Sequence, residues 1–526
     1  MAERRRRRRR VGRLAILAGT TTLAAVLLLR QWRAAVPTPL GEVLSEGLLI
    51  LAWVALWRPI ETIGCDSWEG RQQRDVRCLS APWHGRLDFH LPLGTRPIMR
   101  ISRKKACWIL AATVLATVVL VLFSFNFIRS DKTLERSVEH DYAVNDLQFR
   151  REMGVLLGPG ITSGNLVEAL DNGDEIFPAM LDAIRGATQT INFETYIYWS
   201  GDIGLEFSEA LTERARAGVK VNVVIDWVGG LKMEPAQLAE MKAGGVRVQL
   251  YRPLAWYNLS RINNRTHRKL LVVDGRLGFT GGVGIADQWN GRAQDPDHWR
   301  DMHFRVQGPV VAQMQAAFID NWIKTTGRVL NGGEYFPPLA PAGDMDAHLF
   351  ISSPSGGSES MHLMYLMAIA ATRKTLDVHA SYFVPDELVV RALRMALKRG
   401  VRVRVLVPGD HIDSELVKAS SRAIWGDLLQ HGAEIHVYQP TMMHVKSLIA
   451  DGLLVSVGST NFDVRSFQLN DEASLNVYDR DFAARMTATF ELDLQQAKPY
   501  THEEWLARPW HEKLSEAVVL PIKSQL

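Results

Sequence analysis

Two short stretches carry the residues best suited to chemistry. His267-Arg-Lys269 leads into Leu-Leu-Val-Val-Asp274-Gly-Arg-Leu-Gly-Phe-Thr-Gly281-Gly282, and His444-Val-Lys446 leads into Ser-Leu-Ile-Ala-Asp451-Gly-Leu-Leu-Val-Ser-Val-Gly458-Ser459. In both copies His to Lys is two residues, Lys to Asp five and Asp to Gly seven, and the copies lie 177 residues apart. A lone His-x-Lys is ordinarily a surface histidine beside a solvated lysine, but matched Asp and Gly spacings in two copies reverse that expectation. Paired imidazoles suit phosphodiester exchange. One attacks phosphorus and forms a covalent phosphohistidine. The other protonates the leaving oxygen and then deprotonates the incoming alcohol or water. The two lysines hold the non-bridging oxygens as negative charge develops. This chemistry calls for no metal and no other cofactor. On the residues alone, either imidazole can be the nucleophile.

The elements that must position these groups are legible around them. The apolar, β-branched run at each lysine reads as a strand, and residues two apart on a strand share a face, so each His projects with its Lys. Asp-Gly is then a hairpin turn. Asp274 and Asp451 belong to the motif and count as candidate site residues, although Asp before Gly at such a turn is expected to position the hairpin more than to do chemistry. The surroundings repeat as well. A segment at 187–196 precedes a helical stretch and the strand Gly218-Val-Lys-Val-Asn-Val-Val-Ile-Asp226. A similar segment at 371–380 precedes a helical stretch and Gly400-Val-Arg-Val-Arg-Val-Leu-Val-Pro408. Strands alternating with helices predict an α/β fold with a mixed β-sheet core flanked by helices. The repeat predicts two pseudo-twofold related lobes, 140–335 and 345–500, joined by the Pro-rich stretch 336–344 and followed by a tail, 501–526. A pseudo-twofold axis brings one His/Lys pair from each lobe to a single site. Carboxylates should orient the imidazoles, as in a hydrolase triad. The candidates are Asp301, 34 residues after His267, and Glu472, 28 after His444.

Charge and cysteine usage narrow the function further. Residues 1–130 hold 21 Lys/Arg against 8 Asp/Glu, whereas the remainder holds 40 against 49. An acidic body gains nothing from phosphate neutralisation over a long nucleic acid, so no nucleic-acid partner is expected. Cys65, Cys78 and Cys107 all lie in the N-terminal region, so no thiol acts in the body and no Cys-based zinc site forms there.

The N-terminal region, 1–130, reads as a membrane anchor. Seven arginines, Arg4 to Arg10, precede the apolar run 14–29. No small-x-small cleavage site follows, which favours an uncleaved anchor over a signal peptide. Residues 106–125 form 20 apolar or small residues without a charge, enough to cross a bilayer. The apolar centre of 43–59 is only 11 residues long, which suits an interfacial or re-entrant helix. Two spans return the body to the cytoplasmic side of the arginines, and three place it outside. Length favours two; the excess of nine Lys/Arg over five Asp/Glu in 61–105 favours three. The stretch 251–259, just before the first motif, reads as a lipid-facing loop or as a loop packed on its own lobe.

These residues resemble the phospholipase D superfamily, whose signature is His-x-Lys-x4-Asp-x6-Gly-(Gly/Ser), over roughly residues 145–500. Within it the stretch Gly458-Ser-Thr-Asn-Phe-Asp-Val-Arg-Ser-Phe-Gln-Leu-Asn-Asp-Glu472, with Ser381-Tyr-Phe-Val-Pro-Asp386 and Trp299-Arg-Asp301, is similar to bacterial cardiolipin synthases. The resemblance implies phosphatidyl transfer from one phosphatidylglycerol to another with release of glycerol, in a multi-pass protein of the bacterial inner (plasma) membrane. It implies His267 as nucleophile, His444 as acid and base, and Ser459 and Asn461 at the phosphate. The first motif departs from the family by carrying Gly284 where Asn461 stands in the second. Hydrolysis with water as acceptor uses the same site and is the main alternative. A nuclease fits the acidic body and the anchor poorly, and a non-catalytic scaffold would have lost a motif His or Lys.

Overall fold

The computed structural model describes residues 136–255, 263–353 and 360–519, with Thr117 as an isolated position. The predicted segments 14–29 and 43–59 lie outside the described residues, as does 106–125 apart from Thr117. Among the described residues no helix is long and apolar enough to cross a membrane. The chain divides into Met1–Ser102 and Arg103–Leu526, and the described residues all belong to the second unit.

That unit is a mixed α/β fold around a large central sheet. Its first seven strands are β1 (Thr162–Asp171), β2 (Thr190–Thr195), β3 (Lys220–Asp226), β4 (Arg247–Tyr251), β5 (Leu270–Val273), β6 (Leu277–Gly281) and β7 (Met302–Gln307). The next are β8 (Met345–Ser352), β9 (Thr375–Ala380), β10 (Phe383–Val384), β11 (Arg402–Pro408) and β12 (Glu434–Tyr438). The last are β13 (Lys446–Ala450), β14 (Leu454–Gly458), β15 (Phe462–Asp463), β16 (Glu472–Tyr478) and β17 (Ala497–Tyr500). Fifteen of them make one sheet, and β10 and β15 pair separately. Read outward from the antiparallel β1–β8 junction, one side runs β1-β7-β6-β5-β2-β3-β4 and the other β8-β16-β14-β13-β9-β11-β12, with β17 added at that edge. The same order thus occurs twice. In each half the outer strands, β2-β3-β4 and β9-β11-β12, run parallel, while the inner ones form antiparallel hairpins. Parallel strands are covered on both faces, and β3 and β11 are accordingly buried from their second residue onward.

The two halves share a core. Leu270, Val272, Phe304 and Val306 pack with Val445, Ile449, Val455, Val457 and Leu475. Helices cover the outer faces. The helix Glu387–Lys398 starts at Asp386, whose side chain accepts from Val389 N at 3.0 Å, and it buries Leu388, Val389, Ala392, Leu393 and Ala396.

The hairpins after the His-x-Lys motifs are built alike. Asp274 and Gly275 have φ of +52° and +63°, and Asp451 and Gly452 have +53° and +59°. Two successive left-handed residues make the turn whose twist matches the flanking strands. Arg276 N donates to Val273 O at 3.0 Å and Leu453 N to Ala450 O at 3.1 Å. Each Asp then ties its turn to the start of the neighbouring strand. Asp274 accepts from the backbone N of Thr188, Gln189 and Thr190 and from the Thr188 hydroxyl, and Asp451 accepts from the backbone N of Arg373, Lys374 and Thr375. These bonds place 188–190 in the role of 373–375. The alignment of 187–196 with 371–380 read from the sequence is therefore one residue out of register. The reason is that composition repeats along both segments, while only the turn carboxylate marks the phase.

Replacing Asp274 or Asp451 by Ala is expected to destabilise the unit by about 2–4 kcal/mol, from lost charge-assisted bonds plus Ala at positive φ. Asn, which tolerates that φ, should cost about half as much. Thermal unfolding midpoints measure both, and turnover per folded molecule should stay within about twofold, since each Asp sits at the far end of its strand from the histidine.

Candidate active site

Each imidazole is held by a carboxylate from the other half of the sheet. His267 Nδ1 lies 3.0 Å from both Glu472 carboxylate oxygens, and His444 Nδ1 lies 2.7 Å from Asp301 Oδ2. Chain proximity suggests the opposite pairing, Asp301 with His267 and Glu472 with His444. The crossing arises from two backbone straps between the halves. His267 N donates to Asp471 O at 2.8 Å and Asp471 N to Arg265 O at 2.9 Å; His444 N donates to Arg300 O at 2.7 Å and Arg300 N to Met442 O at 2.9 Å. Each histidine is therefore strapped beside the residue that precedes its carboxylate. With Nδ1–H donated to the carboxylate, the tautomer leaves the Nε2 lone pair free to act.

The site is dry. His267, His444, Lys269, Lys446, Asp301 and Glu472 are all buried. Burial pushes the His267 imidazole down to about 4, against the opposing pull of Glu472, and Lys269 and Lys446 push the same way. Burial and then Lys446 push His444 down to about 3, against Asp301. Burial also lowers Lys269 to about 7 and Lys446 to about 8, with Glu472 and Asp301 the main groups resisting it. Both carboxylates stay below their ordinary range: burial works against their ionisation, but the facing imidazole and a nearby ammonium outweigh it. Lysine charges of each motif thus act on the histidine of the other, as one shared site requires.

The two lysines are seated differently. Lys446 Nζ donates to Ser381 Oγ at 2.7 Å and to His444 O at 2.6 Å. It also lies 3.1 Å from both ring nitrogens of His444, and so sits against the ring instead of at the end of one lone pair. Lys269 Nζ donates to His267 O at 2.9 Å and stands 5.8 Å from the centre of the Tyr196 ring. In the register set by the turns, Tyr196 and Ser381 occupy matching positions. Tyr196 also meets His267 edge-on at 5.2 Å, while Trp289 and Trp299 flank His444 at 5.3 and 5.5 Å.

Other expected residues fall into place unevenly. Ser459, expected at the phosphate, donates to Glu472 Oε2 at 2.6 Å and accepts from Ala473 N at 3.0 Å, so its hydroxyl meets the carboxylate that orients His267. At the matching position Gly282 leaves room for Asp301, whose Oδ1 would lie 2.1 Å from an added Cβ, and Trp289 Nε1 supplies the supporting bond to Asp301 Oδ2 at 2.9 Å. Asn461 is buried with its side-chain oxygen unpartnered among the described residues. Gly284, its counterpart, has no space for a side chain: a Cβ would lie 2.8 Å from Ile197 Cβ and 3.1 Å from the Trp289 ring. The missing first Asn is thus a packing consequence. Asp274 and Asp451 are committed to their turns and do not contact the imidazoles. Within 251–259, Tyr251 is buried and donates to Asp471, Leu254 is exposed, and 256–259 lie outside the described residues.

Sequence reasoning missed Arg268, the middle residue of the first motif. It points to the opposite strand face, is fully buried, and donates to Ala317 O at 2.8 Å, Ser352 O at 3.2 Å and Asp320 at 3.1 Å. Alternation along the strand was the available signal. It missed Arg300 too, which donates to Asp493 at 3.0 Å and to Asp301 O at 3.0 Å behind the second strap.

Comparison with known proteins agrees with this architecture. The family described as "Cardiolipin synthase, PLD-like domain" matches residues 180–322 and 365–494. The major cardiolipin synthase of Bacillus subtilis is 32% identical over 361 residues, covering 68% of this chain and 74% of that protein. A cardiolipin synthase of Geobacillus thermodenitrificans is 34% identical over 352 residues, covering 66% and 70%. In fold, the crystal structure of phosphatidylserine synthase from Haemophilus influenzae is similar with a TM-score of 0.56 at 14% identity, over 72% of this chain and 100% of that one. The fold and the doubled site define a phospholipase D-type protein. More narrowly, the chain belongs to the phospholipase D-like cardiolipin synthase family.

Each lysine is charged below its own value and neutral above it. kcat/KM is therefore expected to fall as pH rises through about 7 and again through about 8. A bound phosphodiester favours both charged forms, so the alkaline fall in kcat should lie at higher pH. Coincident alkaline limbs in pH profiles of kcat/KM and kcat would contradict this.

Proposed function

We propose that this protein is a membrane-bound phosphatidyltransferase that makes cardiolipin from two phosphatidylglycerols and releases glycerol through a phosphatidyl-histidine intermediate. The observation that carries the reading is the pair of buried imidazoles, each oriented by a carboxylate from the opposite half and attended by a lysine. The similarity to cardiolipin synthases supplies the substrate class. His267 Nε2 attacks the donor phosphorus while His444 gives a proton to the departing glycerol oxygen. His444 then takes the proton of the acceptor hydroxyl as its oxygen displaces His267. Lys269, Lys446 and Asn461 hold the phosphoryl oxygens. Asp301 and Glu472 fix the tautomers, and Ser459, Asp274 and Asp451 act as supports.

The two halves of the sheet are read as pseudo-twofold lobes, 140–335 and 345–500, that contribute one His/Lys pair each. Apolar runs at 14–29 and 106–125 support anchoring in a bacterial plasma membrane, where the phospholipid substrate resides.

Incubation with phosphatidylglycerol should yield cardiolipin and glycerol in equal amounts. Phosphatidic acid in place of cardiolipin would make the enzyme a hydrolytic phospholipase D. His267→Ala and His444→Ala should each lower turnover by at least about 10³-fold. With substrate labelled at its phosphatidyl phosphorus, His444→Ala enzyme denatured with detergent at mildly alkaline pH, where the P–N bond survives, should carry label at His267; no label there, with label at His444 in His267→Ala enzyme, would reverse the roles.

A further inference from the structure

We propose that the Tyr382 hydroxyl and the Asp413 carboxylate form a subsite for the glycerol headgroup beside His444, favouring transfer to a polyol over transfer to water. This rests on the phosphatidyltransferase reading above. Tyr382 follows Ser381, whose hydroxyl receives the Lys446 ammonium at 2.7 Å. Its own hydroxyl donates to the two Asp413 oxygens at 2.8 and 2.7 Å. Asp413 is exposed, in the loop between β11 and the helix Glu415–Gln430, so both oxygens keep lone pairs open to a ligand. Its charge is felt at Lys446 and at Tyr196, which stands edge-on to His267. The pair therefore borders the reacting centre.

A carboxylate at the rim of an anion site is wrong for phosphate, which it repels, and right for hydroxyl groups, from which it accepts. Position also matters. In an in-line displacement at phosphorus the leaving and entering oxygens both lie opposite the attacking imidazole. With His267 attacking, that is the side of His444, the half that carries Tyr382 and Asp413. The other half is built differently: Ile197 stands where Tyr382 stands and carries no hydroxyl, and the one acid of the loop after β3, Glu234, is the residue directly before the helix Pro235–Ala243. A polar pair on one side only is what a reaction with one alcohol side requires.

In the transfer step, the acceptor's primary hydroxyl gives its proton to His444 Nε2. Its O–P bond forms as the P–N bond breaks, and that electron pair returns to His267. The adjacent secondary hydroxyl donates to Asp413 and aims the primary one. Water has no second hydroxyl to place and gains nothing from the pair.

The test uses full-length enzyme with phosphatidylglycerol vesicles, and with isotopically labelled glycerol and ethanol competing as acceptors, so that labelled phosphatidylglycerol and phosphatidylethanol are read separately. In Asp413→Asn and Tyr382→Phe the ratio of cardiolipin to phosphatidic acid should fall about tenfold, the worth of one charge-assisted hydrogen bond. The preference for glycerol over ethanol should fall by a similar factor. Tyr382→Phe removes a single oxygen, which protects the test against a misfolded Asp413 variant. Unchanged product ratio and acceptor preference in the folded variants would overturn the subsite. Failure of the unaltered enzyme to make any cardiolipin would instead overturn the function on which the subsite rests.

Discussion

The structure depends on a crossed exchange: Glu472 of one half holds His267 of the other, and Asp301 holds His444 in return. Neither half contains a complete acid–base unit. The exchange also settles a charge problem. With both imidazoles neutral, the two buried ammonium groups balance the two buried carboxylates. Removing one partner from such a set leaves an uncompensated buried charge, which costs about 3–5 kcal/mol. When a phosphodiester monoanion enters, the balance shifts by one negative charge and the site gains affinity for one proton. The two imidazoles, pushed by burial to about 4 and about 3 in the free protein, are the groups that such a charge raises. In the proposed reaction, with that proton on His444, the substrate thus creates the general acid that its own cleavage needs, while His267 stays an unprotonated nucleophile.

Within the repeated framework the two motifs are chemically unequal, and the differences trace to single residues. Ser459 steadies Glu472 with a hydroxyl, whereas Gly282 opens space through which Trp289 steadies Asp301 with an indole N–H. Lys446 rests on a serine hydroxyl and against its own histidine ring, whereas Lys269 faces the ring of Tyr196. Arg268 anchors the first motif strand from behind with four acceptors, at the position where the second motif has the core residue Val445. A perfectly symmetric site would make both imidazoles equally apt to attack. Such inequalities are what the proposed division of labour, one imidazole at phosphorus and the other at protons, requires.

Much of this was legible in the sequence because it is local. Strand alternation placed each His with its Lys, and Asp-Gly placed the turns with the positive φ values now seen at 274–275 and 451–452. The alternating pattern of strands and helices gave the mixed α/β class. The crossed pairing was not legible, because chain distance points each carboxylate to its own motif's histidine, and only the straps at Asp471 and Arg300 reverse it. The contact of Ser459 with Glu472 was hidden for a related reason: a serine's type does not name the carboxylate that its hydroxyl meets. Gly284 read as a missing ligand, yet Ile197 and Trp289 leave no room for one. That constraint is invisible until residues far apart in the chain become neighbours in space.

The straps give the crossed exchange a mechanical meaning. Arg300 sits between them and the helix Arg480–Leu494: its carbonyl receives His444 N at 2.7 Å, its guanidinium holds the Asp301 carbonyl at 3.0 Å, and Asp493 and Asp171 hold the guanidinium at 3.0 and 2.9 Å. Asp471 occupies the matching place on the other strap and is held by Tyr251, with the Arg268 guanidinium feeling its charge. A cation thus locks one strap and an anion the other. Any sliding of one half against the other would break a histidine–carboxylate bond and expose one of these buried charges at the same time, so the two failures are coupled. Proton transfer tolerates little misplacement. Joining the catalytic contacts to the ionic locks in this way makes the geometry of the site and the cohesion of the two halves a single equilibrium.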